Sequence, residues 1–183
     1  MGKEIEKKFL IRTLPKNLEQ YEQKEIEQGY LCTSPIVRIR KSNEDYILTY
    51  KSKLGIASDA ENVSGAKINQ EVELPLTKEG YEHLKEKIDG YLITKTRYII
   101  PLENGLKVEL DIFKGQLDGL IFAEVEFPNE EAAQNFTSPK WLGENVSLDK
   151  RYSNYYLSTM KDLSYFTKSE KIIILDFLNM RAM

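Results

Sequence analysis

Charges of one sign recur two residues apart along this chain: Glu4 and Glu6 followed by Lys8, then Arg38 and Arg40, Lys51 and Lys53, Glu71 and Glu73, Lys95 and Arg97, Glu109 and Asp111, Glu124 and Glu126. In an extended strand residues i and i+2 project from the same face, so each pair marks one side of a strand. The residues between and beside the pairs are mostly apolar, among them Ile5, Ile39, Val72, Leu110, Val125 and Phe127. The charges therefore share a face opposite the hydrocarbon one that must build the core.

On a single strand this alternation describes a solvated polar face. The repetition asks for more, because like charges about 7 Å apart repel by roughly 2 kcal/mol at an effective dielectric near 20. A face that collects both acidic and basic strands suits a ligand carrying both signs, such as a polyanion with a divalent cation. Alternation and composition predict eight strands, over residues 3–12, 25–32, 36–42, 45–53, 68–75, 92–101, 106–114 and 120–127. Ser42-Asn43-Glu44-Asp45 and Glu103-Asn104-Gly105 read as hairpin loops, which makes their flanking strands antiparallel. Closing the eight strands removes their edges, and turning the charged face inward leaves an apolar exterior for helices to cover. The expected fold is thus α+β, a closed eight-stranded antiparallel barrel whose charged interior holds water, metal and anion as a tunnel.

Helices are expected over 15–23, 77–88, 129–136 with Asn129 as N-cap, and 149–160. Residues 54–67 read as a mobile polar loop, and Ile172 to Leu178 fit either a last helix or a short strand. The expected organisation is one domain over 1–160, with 161–183 an extension packed on it.

Composition excludes several classes. With 41% hydrophobic and 30% charged residues and a net charge of -3, the chain has no global pull toward nucleic acid or acidic membranes. Cys32 is the sole cysteine, the Met-Gly-Lys-Glu-Ile-Glu opening lacks a signal-peptide run, and no apolar run is long enough to span a bilayer, so a cytoplasmic location is expected. The sole histidine, His83, falls outside the apolar stripe of Tyr81, Leu84 and Ile88, which argues against a Ser-His-Asp triad or a multi-histidine zinc site. There is no Gly-rich phosphate loop, so side chains must hold any phosphate.

Glu4-Ile5-Glu6-Lys7-Lys8 resembles the E-x-E-x-K signature of the CYTH superfamily, the triphosphate tunnel metalloenzymes. Arg38-x-Arg40, Lys51, Glu71-x-Glu73, Lys95-x-Arg97, Glu109-x-Asp111 and Glu124-x-Glu126 follow in that family's order. Trp141 to Val146, with Asp149-x-Arg151-Tyr152-x-Asn154, is similar to the C-terminal segment of the short tripolyphosphatase branch. The resemblance implies an eight-stranded tunnel and a metal-dependent triphosphate hydrolase acting on inorganic tripolyphosphate and nucleoside triphosphates. It also implies Mg²⁺ or Mn²⁺ as cofactor.

Carried onto this sequence, the resemblance makes Glu4, Glu6, Glu71, Glu73, Asp111, Glu124 and Glu126 the metal-facing carboxylates, Glu6 foremost, since hard cations take oxygen ligands. Lys8, Arg38, Arg40, Lys51, Lys95 and Arg97 would clamp phosphate oxygens, and Arg151 would reach the substrate from the C-terminal helix. Glu6, Glu73 and Asp111 are the catalytic candidates; whether a second metal ion, Glu73 or Asp111 activates the attacking water stays open. Lys53 reads as a solvated residue at the mouth. The expected partner is a small triphosphate, with no nucleic acid or membrane, and the protein is a monomer or a homodimer. Two alternatives share the constellation: a class IV adenylate cyclase making cyclic AMP and pyrophosphate, and a non-catalytic polyphosphate or nucleotide sensor.

Overall fold

The structure is a computed structural model and describes residues 2–166. Eight antiparallel strands carry the architecture: β1 (Gly2–Ile11), β2 (Glu22–Thr33), β3 (Ile36–Ser42), β4 (Asp45–Ser52), β5 (Lys67–Pro75), β6 (Asp89–Pro101), β7 (Lys107–Lys114) and β8 (Ile121–Glu126). They run in the spatial order β5-β4-β3-β2-β6-β7-β8-β1, and pairing of β1 with β5 closes the barrel. The closure is shared along β1: Gly2 to Glu6 pair with Glu71 to Lys67, and the far half of that edge, at Phe9 and Ile11, pairs with a short ninth strand, β9 (Leu142–Asn145).

The hydrocarbon face points outward, as the alternation requires. Ile5, Phe9, Ile68, Val108, Leu110, Ala123, Val125 and Phe127 form one buried exterior cluster. It is covered by α1 (Ala60–Ser64), α3 (Glu130–Gln134) and the residues after α3, where Phe136 stacks 5.1 Å from Phe127 and 6.0 Å from Phe9. On the opposite flank α2 (Lys78–Lys85) packs on β3 and β4. Its Tyr81 is fully buried against Tyr46 and donates its hydroxyl to Glu27 Oε1 at 2.8 Å. Thr77 caps α2 through Gly80 N, Asn129 caps α3 through Ala132 N, and His83 is exposed.

Three local expectations are corrected. Residues 15–23 do not form a helix: Asn17 takes a left-handed conformation, a single 3-10 turn spans Leu18–Gln20, and β2 starts at Glu22 because its first residues pair with β6, Glu22 opposite Ile99. The expected helix 149–160 is broken at the extended Ser153 into a 3-10 turn, Lys150–Tyr152, and the short α4 (Asn154–Leu157). The loop 54–67 contains α1, whose Glu61 accepts a hydrogen bond from Ile68 N at 2.8 Å and so ties the loop to β5. The expectation for 172–178, and most of that for 161–183, falls outside the described residues. Among the described residues no helix is long and apolar enough to cross a membrane.

Candidate active site

A cavity of about 420 Å³ occupies the barrel interior. Its wall follows from strand phase: Glu4, Glu6 and Lys8 on β1, Arg38 and Arg40 on β3, Lys51 on β4, Lys67, Asn69, Glu71 and Glu73 on β5, Arg97 on β6, Glu109 on β7, Glu124 and Glu126 on β8. Continued by two residues toward one end, these rows turn apolar, at Leu10, Tyr30, Ile36, Ile93, Phe113 and Phe122. These residues pack with Val146, Tyr152, Leu157, Met160 and Phe166 of the C-terminal segment into a second core. Phe122 lies 5.5 Å from Phe113 and 5.3 Å from Tyr152, both edge-on. The interior is therefore charged over most of its length and apolar at that end.

The charged strands pair across the barrel by sign. Lys51 bridges Glu4 and Glu71, the latter at 2.9 Å. Arg40 holds Glu73 at 2.8 Å, with Arg38 at 3.8 Å from the same oxygen. Lys8 meets Glu124 at 3.0 Å, and Arg97 reaches Glu109, Asp111 at 2.6 Å and Glu124 at 2.7 Å. Burial acts against these ions, yet Lys8 and Arg97 hold the Glu124 carboxyl well below its ordinary range, and Glu6 and Glu4 push the Lys51 ammonium up.

Glu6 is different. Among the described residues its side chain makes no hydrogen bond and has no cation within 4.0 Å. Burial, followed by the charges of Glu4 and Glu124, pushes its pKa up to about 7. Glu126 is likewise unpaired, and burial with Glu4, Glu109 and Glu6 raises it. Glu73, by contrast, is held below the ordinary range: burial opposes this, and Arg40 prevails. A carboxylate so held is a weak proton acceptor, whereas one near 7 is matched to neutral pH. Arg38 Nε and Arg40 Nε are buried without a hydrogen-bond partner, so two guanidinium groups retain donors for a ligand.

Not every expected residue reaches the cavity. Lys95 and Asp111 are 1% and 2% exposed, bonded to each other on the inward rows next to the apolar end and off the cavity lining, and Asp111 also takes Arg97 Nε and Nη2. Asp111 thus stands as an anchor for Arg97 rather than as a surface a ligand touches. Arg151 is exposed and off the cavity wall; it forks Asp149, with Nη2 2.7 Å from Oδ2. Lys53 turns to Glu61 and the Ile68 carbonyl. Residues to which the sequence analysis gave no ligand role also line the cavity, namely Gln28, Tyr30, Lys67, Asn69, Ser147, Lys150 and the motif residues Asp149 and Asn154. Gln28 and Tyr30, and Lys67 and Asn69, are in phase with the charged rows, a signal that a search for like-charge pairs overlooks.

The CYTH domain model matches residues 2–163. The chain belongs to the CYTH family. Its CYTH domain is 38% identical over 158 residues to an inorganic triphosphatase of Nitrosomonas europaea, covering 85% of this chain and 96% of that protein. It is 35% identical over 162 residues to an inorganic triphosphatase of Acetivibrio thermocellus, covering 84% and 92%. A crystal structure of an inorganic triphosphatase superposes with a TM-score of 0.61 at 36% identity, over 87% of this chain and 97% of that one. The closed eight-stranded antiparallel barrel is the fold that this CYTH member shares with that structure.

Proposed function

We propose that this CYTH protein is a triphosphatase that hydrolyses inorganic tripolyphosphate, and nucleoside triphosphates with it, in the presence of Mg²⁺ or Mn²⁺. One observation carries the reading. Eight acidic and eight basic side chains line the cavity, so it is charge-balanced, and Glu6 stands in it with no close ion pair among the described residues. A cavity built for an anion alone would be basic; a balanced one suits an anion that arrives with a cation. The likeness to two proteins named inorganic triphosphatase supports the same substrate class.

The donor chemistry fits a hard divalent ion. Glu4, Glu6, Glu124 and Glu126 face one region of the cavity, and the raised Glu6 and Glu126 are carboxylates whose mutual repulsion a cation relieves. Among the described residues no three ligating side chains are gathered as a ready-made metal cage, which suits Mg²⁺, an ion that keeps waters and shares its shell with substrate phosphates. When bound, the ion supplies charge neutralisation at the phosphoryl oxygens and a more acidic water. Lys8, Arg38, Arg40, Lys51 and Arg97 then orient the phosphate chain, and holding it in line with the attacking water provides much of the acceleration in phosphoryl transfer. In the metal-free cavity burial pushes the Glu6 pKa up to about 7, and beside a divalent ion the carboxyl would give up that proton and serve as an oxygen ligand.

The test is phosphate release from tripolyphosphate by chelator-treated protein, with Mg²⁺ or Mn²⁺ restored. Release with either ion and none without supports the reading; silence with both between pH 7 and 9 overturns it. ATP as substrate gives ADP and phosphate on this reading, whereas cyclic AMP and pyrophosphate would assign the protein to cyclase chemistry.

A further inference from the structure

The cavity has one wall that is not barrel. Beyond β9 the chain crosses the barrel end, and Lys8 holds it there three times: Val146 N donates to Lys8 O at 2.8 Å, Lys8 N to Ser147 Oγ at 2.9 Å, and Lys8 Nζ to Tyr152 O at 2.8 Å. The segment so fixed contributes Asp149, Lys150 and Asn154 to the cavity lining.

Two of these side chains are unspent. Lys150 makes no ion pair among the described residues, whereas Lys8, Arg38, Arg40, Lys51 and Arg97 are each engaged by a carboxylate. Asn154 Oδ1 is buried with no hydrogen-bond partner. Leaving a buried amide oxygen unpaired costs about 1–3 kcal/mol, a penalty that a ligand would remove. The acidic member of the wall is masked: Arg151 donates Nε to both oxygens of Asp149 at 3.2 and 3.1 Å and Nη2 to Oδ2 at 2.7 Å. These bonds to Arg151 outweigh burial and hold the Asp149 carboxyl below its ordinary range.

We propose that Lys150 and Asn154 form a subsite for a terminal phosphoryl group, reached by a triphosphate and not by a diphosphate seated among the barrel cations. This rests on the triphosphatase reading and adds to it the device that measures chain length. Lys150 supplies a cation with no ion pair among the described residues, and the carboxamide meets the phosphoryl group with either end: its oxygen accepts a hydrogen bond from a P–OH, and the same group turned over donates Nδ2 to a P–O⁻ oxygen. Arg151 acts one step back, by cancelling the charge of Asp149 beside them.

The experiment compares wild type with Lys150→Gln and Asn154→Asp, the first a surface change that leaves folding intact. Calorimetric titration with tripolyphosphate and with pyrophosphate is run without metal and with Ca²⁺, alongside steady-state hydrolysis with Mg²⁺. Each variant is expected to weaken tripolyphosphate binding and raise its KM by about tenfold or more, the loss of one charge-assisted contact. Pyrophosphate affinity and kcat should stay within about threefold. Unchanged tripolyphosphate affinity, an equal loss for both anions, or no binding of either anion by wild type overturns the subsite. If wild type binds tripolyphosphate without hydrolysing it and the variants still bind it less tightly, the triphosphatase reading fails and the subsite stands. If hydrolysis proceeds with KM and affinity untouched by both substitutions, the subsite fails alone. Should Asn154→Asp lose its native circular dichroism, Asn154→Ala replaces it.

Discussion

Lys8 Nζ lies 2.8 Å from the carbonyl oxygen of Tyr152 and 3.0 Å from Glu124 Oε1, so a lysine of the E-x-E-x-K signature also fastens the C-terminal segment to the barrel. Lys8→Met leaves that carbonyl without its donor and Glu124 with Arg97 as its remaining close cation. Removing one partner of a buried pair is expected to lower stability by about 3 kcal/mol. The loss should be local in hydrogen exchange, fastest at the amides of Tyr152, Ser153 and Leu157, whose acceptors lie in the same segment. Lys3→Met breaks an exposed pair with Glu130 and serves as the control, at about 0–1 kcal/mol. Exchange that rises uniformly over the barrel, or not at all after residue 146, would refute the fastening role.

Glu6→Gln should abolish turnover and yet stabilise the metal-free protein. The folded-state pKa near 7 exceeds the ordinary 4.5, so between those values the folded chain binds more protons than the unfolded one. The contribution of Glu6 to stability therefore falls as pH rises from 4.5 through 7. Glutamine removes that dependence. Urea unfolding in EDTA should show the variant about 3 kcal/mol more stable than wild type at pH 8.5 and nearly equal to it at pH 4. A variant less stable at pH 8.5 would mean that Glu6 has a counter-ion in solution.

The strands and the inward direction of the charges were legible because period-two alternation and charge sign coincide on one face. All eight strands begin and end within three residues of the expected limits, and β2 starts three residues early because Glu22 to Lys24 find partners on β6. The apolar end was not legible. Leu10, Phe113 and Phe122 are in phase with the charged rows, but alone each reads as one more core residue. Only the register of neighbouring strands brings them together. Register also decides which carboxylates are neutralised: Lys51 stands opposite Glu71 and Arg97 opposite Asp111, while Glu6 stands opposite the like charge of Glu126 and opposite Lys67, with which it closes no ion pair. Arg151 stands off the cavity wall, in the 3-10 turn that the extended Ser153 separates from α4.

Asp111 and Lys95 should behave as structure, and unequally. Burial lowers the Lys95 ammonium to about 8 even with Asp111 beside it, so its charge is held at considerable desolvation expense. Lys95→Met removes that charge and leaves Asp111 its two bonds from Arg97, at 2.6 and 2.7 Å. We expect a loss of about 1–2 kcal/mol. Asp111→Asn leaves two buried cations facing a neutral amide and should cost about 3–5 kcal/mol. Equilibrium unfolding of both variants checks the order; a larger loss for Lys95→Met would show that the lysine, not the carboxylate, organises this corner.

Gly90 opens β6 at a φ of +75°, and a Cβ built there would sit 2.4 Å from the Ser158 carbonyl oxygen. The same oxygen accepts the amide of Tyr91 at 2.6 Å, so the first residues of β6 and the end of α4 are held at backbone contact. Alanine must therefore meet a left-handed conformation and a rigid main-chain neighbour together. The conformational part alone is about 1 kcal/mol, and the clash adds to it because a carbonyl cannot turn aside as a side chain does. Gly90→Ala should lose about 2–3 kcal/mol in all, a drop of roughly 5 °C or more in Tm for a chain of this size. Gly105→Ala is the comparison, since its φ of +80° carries the conformational penalty with nothing within 4 Å of the new atom. Equal losses at the two positions would mean that the segment around Ser158 yields freely and does not press on the start of β6.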